Sequence, residues 1–374
     1  MADVKQIYSI VNSIASQALG RSVVVDTDTS FVNLGTEILS SDKNVDAWFN
    51  ALVDRIGRTV MAMREYKANN AELKRDPIEF GVVLQKLSVQ MPDAKKNTTW
   101  NKQSDAASNP FDKSAMTIKQ KLFTDFSTWE VDGTIPDMQL QTAFTSASAM
   151  AALIDAIFTA MYNSLELAYQ NTANLCRANF MALRKAKGYN LLNMYNTETN
   201  HTLTVASALI DPDFLRYSSM MINLVSNRMA VLSRTFNDGS IDRFTSRDMQ
   251  IINILADFNS RFTSYLQADT FHKELVALPN FKAVPYWQGS GTNWSFADVS
   301  SIKVQPANAE LPIQMANIVA CIYDRDAMGV TIDKRRTKSI YNPKDEYTNY
   351  FMKAEMGFYN DLSENGVVFY LEEV

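Results

Sequence analysis

Few residues in this chain are equipped for chemistry, and their spacing decides what they could do. Its histidines are His201 and His272 alone. Neither has a second metal ligand at a useful spacing, so a surface or hydrogen-bonded structural role is expected for both. The two cysteines, Cys176 and Cys321, lie far apart in apolar surroundings, which predicts buried, reduced thiols. The sharpest candidate is the run Asp324, Arg325, Asp326, which follows an apolar stretch. Its carboxylates could hold a metal-bound nucleotide, as in some transferases, and a two-lobed metal-dependent enzyme would use them that way. Such a pair needs a metal or a substrate to offset its own repulsion, and Arg325 already supplies a compensating charge, which favours an ordinary turn. No nucleophile elbow, phosphate-cradling glycine loop or Cys-x-x-Cys pair occurs. The sequence therefore assigns no catalytic, cofactor-binding or metal-binding residue.

Positive charge gathers in two places. Lys334, Arg335, Arg336 and Lys338 form one cluster, and Lys95 with Lys96 another. Either could touch phosphate, the carboxylates of a neighbour, or only water, and a solvated loop is the commonest setting for the first. Over the whole chain 36 Lys and Arg face 41 Asp and Glu, a formal charge of −5. That balance argues against a dedicated nucleic-acid binder, which would show a strongly basic face. It leaves room for weak, salt-sensitive contact with DNA at one surface. At 374 residues the chain can bury a real core and form two lobes. Methionine is frequent, at 18, and packs adaptably enough to suit surfaces that fit more than one neighbour, although core filling is the simpler role of any single one. No basic and apolar leader opens the chain, and no stretch holds about eighteen uninterrupted apolar residues. The expectation is residence in cytosol-like surroundings, with no membrane.

The elements that must position these residues are organised around the stretch from Ser148 to Gly188. Met150, Ile154, Ile157, Met161, Leu165, Ala168, Thr172 and Leu175 recur at steps of three and four, one face of an α-helix. About forty helical residues make a rod on the order of 60 Å, longer than one ordinary core needs. Between Asp137 and Cys176 there is no Lys or Arg, so the remaining faces look covered. Arg177, Arg184, Lys185 and Lys187 arrive at the end, where cations oppose the helix dipole and Gly188 could adopt a left-handed cap. The stretch predicts a covered strut.

Ahead of the strut, residues 4–19 predict a short amphipathic helix, followed by Val23, Val24, Val25 and an acidic turn from Asp26 to Asp28. A second helix is expected over 45–63. Phe80 to Val89 reads as a strand with Thr117 to Phe126 as its return partner. Between them Met91 to Met116 is polar and long for a compact domain; ordering it costs roughly 1–2 kcal/mol per residue, which Trp100 and Phe111 cannot offset. A partner is expected to order it. Beyond Gly188, helices are expected at Pro212–Leu232 and Asp248–Leu266, one strand over Ile313–Asp324, and a last strand at Gly366–Leu371.

Taken in this order, the chain resembles the major capsid proteins of tailed bacteriophages with the HK97-type fold, closest in character to those of small, short-tailed phages of Gram-positive hosts. Ala47 to Val60 (AWFNALVDRIGRTV), Gly133 to Leu167 (GTIPDMQLQTAFTSASAMAALIDAIFTAMYNSLEL) and Cys321 to Phe369 (CIYDRDAMGV, then YNPKDEYTNYFMKAEMGFYNDLSENGVVF) carry the resemblance. It implies an α+β, HK97-like capsid fold: an N-terminal arm (1–45), a P-domain helix (46–64), an extended E-loop (65–130) lying over a neighbour, a P domain with a long spine helix (131–189), an A domain (190–315) and P-domain return strands (316–374). It implies a head protein, not an enzyme and without cofactors, that self-assembles as hexamers and pentamers into an icosahedral or prolate shell around packaged double-stranded DNA. Scaffolding, portal and decoration proteins are the implied partners. The implied location is the virion capsid, assembled in the host cytoplasm. In such a shell Lys95, Lys96, Trp100, Phe111, Arg335 and Arg336 would be intersubunit contacts. An encapsulin-like nanocompartment shell and, below it, the metal-dependent enzyme are the alternatives.

Overall fold

A computed structural model of the chain describes residues 4–41, 43–44, 47–48, 51, 66–75, 84–94, 111, 113, 115–137, 147–239, 241–267, 281–288, 295–306 and 310–373. In chain order the longer helices among the described residues are α1 (Val4–Leu19), α2 (Asp28–Leu39), α3 (Ala147–Leu183), α4 (Leu191–Thr199), α5 (Pro212–Met229) and α6 (Ala256–Gln267). The strands are β1 (Leu84–Val89), β2 (Ile118–Phe123), β3 (Phe126–Pro136), β4 (Tyr189–Asn190), β5 (Gln250–Leu255), β6 (Phe281–Val284), β7 (Ile302–Val304), β8 (Ile313–Met315), β9 (Ile318–Asp324), β10 (Met328–Asn342), β11 (Tyr347–Asn360) and β12 (Gly366–Tyr370). The described strands form an antiparallel hairpin β1-β2, a three-stranded sheet β10-β11-β3, a mixed sheet in the order β4-β12-β9-β5-β6, and the small pair β7-β8. The class is α+β.

The three-and-four spacing does produce the strut: α3 runs for 37 residues, about 55 Å at the α-helical rise. It threads two cores. Phe158, Met161 and Leu165 pack with Val11, Ile14, Phe31, Ile38, Trp48, Tyr350 and Met352. Further along, Tyr169, Ala173, Cys176, Phe180 and Met181 join the larger core of the five-stranded sheet and α4 to α6. Burial there is no longer confined to one face, because Thr172 to Asn174 and Cys176 to Ala178 are buried without interruption. The expected stripe therefore drifts: Leu175, placed on it from the sequence, is exposed, and Cys176 beside it is buried.

The scarcity of basic side chains on the strut has a specific cause. Asn163, Glu166, Gln170 and Asn174, again at steps of three and four, hold the extended segment 66–70 against the helix. Asn163 Oδ1 accepts from the Tyr66 N–H at 3.1 Å, and Glu166 Oε1 from the Ala68 N–H at 2.9 Å. Tyr66 donates its hydroxyl to Gln170 Oε1 at 2.5 Å, and the Asn70 amide donates to Asn174 Oδ1 at 3.0 Å. A segment without regular structure has its backbone groups satisfied by a helix face, as buried polar groups require.

Several sequence expectations are corrected. Arg177 and Arg184 do not sit at a solvated helix end; both are fully buried. Gly188 has φ −78°, not a left-handed cap. Glycine is needed there because a Cβ would lie 2.9 Å from the Tyr370 ring and 3.0 Å from the Val368 carbonyl. The acidic turn at 26–28 is the start of α2, capped by Thr27, which accepts from Ser30 N–H at 3.3 Å in a reciprocal capping box. Residues 250–255, expected to open a helix, are strand β5 inside the five-stranded sheet. The single strand 313–324 is two, β8 and β9, broken at Asn317 with φ 55°. In the segment expected as an N-terminal arm, α1 and α2 bury their apolar faces in the core around Phe158 and Tyr350. Of the helix expected at 45–63, most lies outside the described residues.

Candidate intersubunit surface

The β1-β2 hairpin has two unlike faces. Its register places Leu84, Lys86 and Ser88 opposite Phe123, Lys121 and Lys119, and places Gln85, Leu87 and Val89 opposite Leu122, Gln120 and Ile118. Successive side chains point to opposite faces of a strand, so directly opposed pairs share a face. The first face is turned to the body of its own chain, where the Phe123 and Tyr359 rings meet at 5.3 Å between centroids. The second carries Leu87, Val89, Ile118 and Leu122, exposed by between 54% and 66%. Met91 and Met116 continue it, exposed as well. An isolated two-stranded ribbon is marginally stable in water, and a contiguous apolar face on it marks an interaction surface.

The inner face is held by charge. Lys86 and Lys121, opposite one another in the register, both reach Asp361, at 2.8 Å each. Asp361 is fully buried, and its Oδ1 also accepts from the Ser363 N–H at 2.9 Å and hydroxyl at 2.6 Å. Lys86 reaches Glu364 at 2.5 Å, and Arg243 approaches the same carboxylate at 3.1 Å. Lys119 donates to the Gly239 carbonyl at 3.0 Å. Burial alone would raise the Asp361 carboxyl, but the bonds from Lys121, Lys86 and Ser363 outweigh it and hold the group well below the usual carboxylate range. For Lys86, burial would lower the ammonium, and the bonds to Asp361 and Glu364 outweigh it and raise it. A depressed carboxyl keeps its contribution above its unfolded value and loses it only as the pH falls; a raised ammonium keeps its contribution below its unfolded value and loses it only as the pH rises. The Lys86 to Asp361 contact therefore stays charged on both sides from about pH 4 to about pH 10.

The residues proposed from sequence as contacts are not all brought to this hairpin. Lys95, Lys96 and Trp100 lie outside the described residues. Phe111 is described within the loop between β1 and β2, at a turn, and is 86% exposed. Arg335 and Arg336 are in β10, so the expected solvated loop is instead a long strand of the three-stranded sheet. A bulge between Asp333 and Arg336 interrupts the pairing there. Arg335 lies over the Tyr162 ring at 5.8 Å, and Arg336 pairs with Glu355 at 2.8 Å. What sequence reasoning missed was the clasp: Lys86, Lys121 and Asp361 lie far apart in the chain, and only the strand register and the turn after β11 bring them together.

The chemistry-bearing residues take structural places. Asp324 caps a turn, accepting from the Asp326 N–H at 2.9 Å and from the Thr245 hydroxyl at 2.7 Å, and among the described residues no cluster of His, Cys, Asp or Glu could hold a metal. His201 stacks on Tyr195 at 5.8 Å, and His272 lies outside the described residues. Burial pushes the Cys176 and Cys321 thiols up to about 12. Thiolate is the reactive form, so neither cysteine is expected to react with an alkylating reagent at pH 8 until the chain is unfolded; prompt labelling of the native chain, read by mass spectrometry, would contradict this burial. Among the described residues no helix is long and apolar enough to cross a membrane.

The family model for the Phi29-like phage major capsid protein matches residues 9–370. The major capsid protein of Streptococcus phage Cp-1 is 26% identical over 344 residues, covering 88% of this chain and 84% of that protein. The capsid structure of Staphylococcus phage Andhra superposes with a TM-score of 0.53 at 7% identity, over 83% of this chain and 86% of that one, which shows a shared fold. These are capsid proteins with the HK97-like fold, structural and not enzymatic, and the virion capsid is where such a protein resides. The match spans nearly the whole length, and this chain belongs to the Phi29-like phage major capsid protein family.

Proposed function

We propose that this major capsid protein closes a shell around packaged double-stranded DNA by laying the outer face of its β1-β2 hairpin on an identical neighbour. The observation that carries the reading is the pairing of an anchored inner face with an outer face of exposed Leu87, Val89, Ile118 and Leu122. In the assembled shell, residues 190–315 act as the axial domain, around which five or six copies meet. Residues 131–189 and 316–374 act as the peripheral domain, with α3 as its spine. The extended hairpin is confined to the interval between Arg75, anchored against the Met328 carbonyl at 2.9 Å, and Phe126, where β3 joins the three-stranded sheet.

Shell assembly needs many modest contacts, so that a misplaced subunit can leave before the lattice closes. A scaffolding protein and a portal direct that closure, and the formal charge of −5 keeps phosphate contact weak enough for DNA to enter and leave. Lys95, Lys96, Trp100 and Phe111 belong to the loop at the tip of the hairpin and meet the neighbour there. Removing residues 93–115 is expected to leave a folded subunit that forms no particles by electron microscopy, with and without candidate scaffold. Normal particles from that deletion would end the role given to the loop.

A further inference from the structure

One long face of the strut is left open. Asn163, Gln170 and Asn174 hold the 66–70 segment against one side of α3, while Ile157, Phe158, Met161 and Leu165 turn to the core. Between these sides runs a line of exposed residues: Ala156, Ala160, Ser164, Leu167, Asn171 and Leu175. Their steps of three and four place them on one face, about 28 Å long at the helical rise. Leu167 and Leu175 are 51% and 49% exposed. Solvated helix faces normally carry mixed charges, and this one carries none. From Ala156 to Cys176 the single charged residue is Glu166, whose Oε1 is committed to the Ala68 N–H at 2.9 Å. Ser164 turns its hydroxyl back to the Ala160 carbonyl at 2.9 Å, so it presents little more than a small side chain. Phosphate finds no cation on this line, which leaves protein, not DNA, as its counterpart.

The order of side chains along the face says which protein. Its first half is small, Ala156, Ala160 and Ser164, and its second half is larger, Leu167, Asn171 and Leu175. Laid antiparallel on itself, the face sets Ala156 opposite Leu175, Ala160 opposite Asn171 and Ser164 opposite Leu167, each small residue against a large one. A parallel copy would oppose leucine with leucine at one end and alanine with alanine at the other, crowding the first and leaving a gap at the second, which close packing disfavours. An antiparallel pair about a two-fold axis makes every contact twice, and with no charge on the face nothing repels.

We propose that α3 of one copy packs antiparallel against α3 of a second copy along this face, a self-contact separate from that of the hairpin. The six residues on each side fall far short of the roughly 20–30 of a standard interface. The contact is therefore too small to hold two free subunits together and acts where copies are already gathered. It rests on the reading that copies of this chain assemble, but not on which surface the hairpin meets.

The test is a cross-link on the full chain under assembly conditions. Ala156→Cys with Leu175→Cys, and each substitution alone, are oxidised mildly and read on a non-reducing gel, while particles are scored separately by electron microscopy. The native thiols, Cys176 and Cys321, are buried. The two new thiols lie about 28 Å apart along one helix, far beyond the reach of a disulfide within one chain. All three variants are expected to keep the parent's circular dichroism spectrum, because both positions are exposed. The double variant is expected to shift from monomer to covalent dimer, and each single variant to stay monomeric, since antiparallel packing sets like positions at opposite ends. Particles without dimers overturn the proposal and leave the shell reading standing; dimers without particles support it and end that reading. Dimers in a single variant overturn it, because they report parallel packing or random collision. Protection of Leu167→Cys from a maleimide, in particles whose double variant stays monomeric, also overturns it and gives the face to a different protein.

Discussion

Replacing Arg177 by methionine is expected to cost the folded subunit about 3–5 kcal/mol, the range for removing one partner of a buried ion pair. Arg177 is fully buried on α3 and donates to Glu72 Oε1 and to Asn70 Oδ1, at 2.8 Å each. Glu72 in turn is held by Lys282 at 2.6 Å, so the guanidinium ties the spine to the 66–75 segment and, through it, to β6. Methionine fills a similar volume but donates nothing, which leaves Asn70 Oδ1 and one Glu72 oxygen inside the protein without that donor. Because Asn163, Glu166, Gln170 and Asn174 grip the same segment, its loss of register would loosen the strut along much of its larger core. The measurement is a urea unfolding midpoint, compared at equal m-value. Arg336→Met is the control: that pair with Glu355 lies at the surface, and surface pairs contribute about 0–1 kcal/mol. Equal losses in the two variants would mean that the buried network contributes no more than a solvated one.

How much of this was legible in the sequence depends on the range of the interaction. The strut announced itself because its period is local, and so did the pairing of 84–89 with 118–123, whose alternation survives in the register. The capping box at Thr27 and Ser30 was also written locally, but three acidic or hydroxyl residues after a β-branched run read equally well as a turn. Gln250 to Leu255 is an apolar run too short for periodicity to separate strand from helix. Its place between β9 and β6, buried on both faces, decides for strand, and only tertiary contacts supply that. Ile313 to Asp324 split because Asn317 tolerates a positive φ, a preference that a continuous hydrophobic reading overlooks. Arg177 and Arg184 were misread for a related reason: cations at a helix end ordinarily face solvent, and nothing local says that Glu72, Asp238 and the 361–365 turn will close over them. The helix expected at residues 4–19 is there, as α1, but its docking was not legible. Its apolar face was evident, but the surface that receives it, around Phe158 and Tyr350, is assembled from segments more than a hundred residues away.

The largest functional effect is expected from the outer face of the hairpin, where stability and assembly separate. Leu87 and Leu122 are diagonal neighbours across the two strands, since Leu87 stands opposite Gln120 and Leu122 opposite Gln85. Both are exposed in the single chain, so Leu87→Asp with Leu122→Asp removes no contact with its own core. Such surface changes usually stay within about 0.5 kcal/mol, and the thermal midpoint of the subunit is expected to move little. On the neighbour the balance is different. Fully burying a leucine is worth about 1.5–3 kcal/mol, and a carboxylate placed there loses that gain and adds the cost of taking an unpaired charge out of water. If every subunit both offers the face and receives it, as proposed, a shell multiplies this deficit. The expected outcome is a subunit with a native circular dichroism spectrum that stays unassembled in sedimentation velocity under conditions where the parent forms particles. Leu87→Met with Leu122→Met, which keeps the face apolar and flexible, should restore assembly. If the aspartate variant assembles as the parent does, the outer face of the hairpin is not what joins one copy to the next.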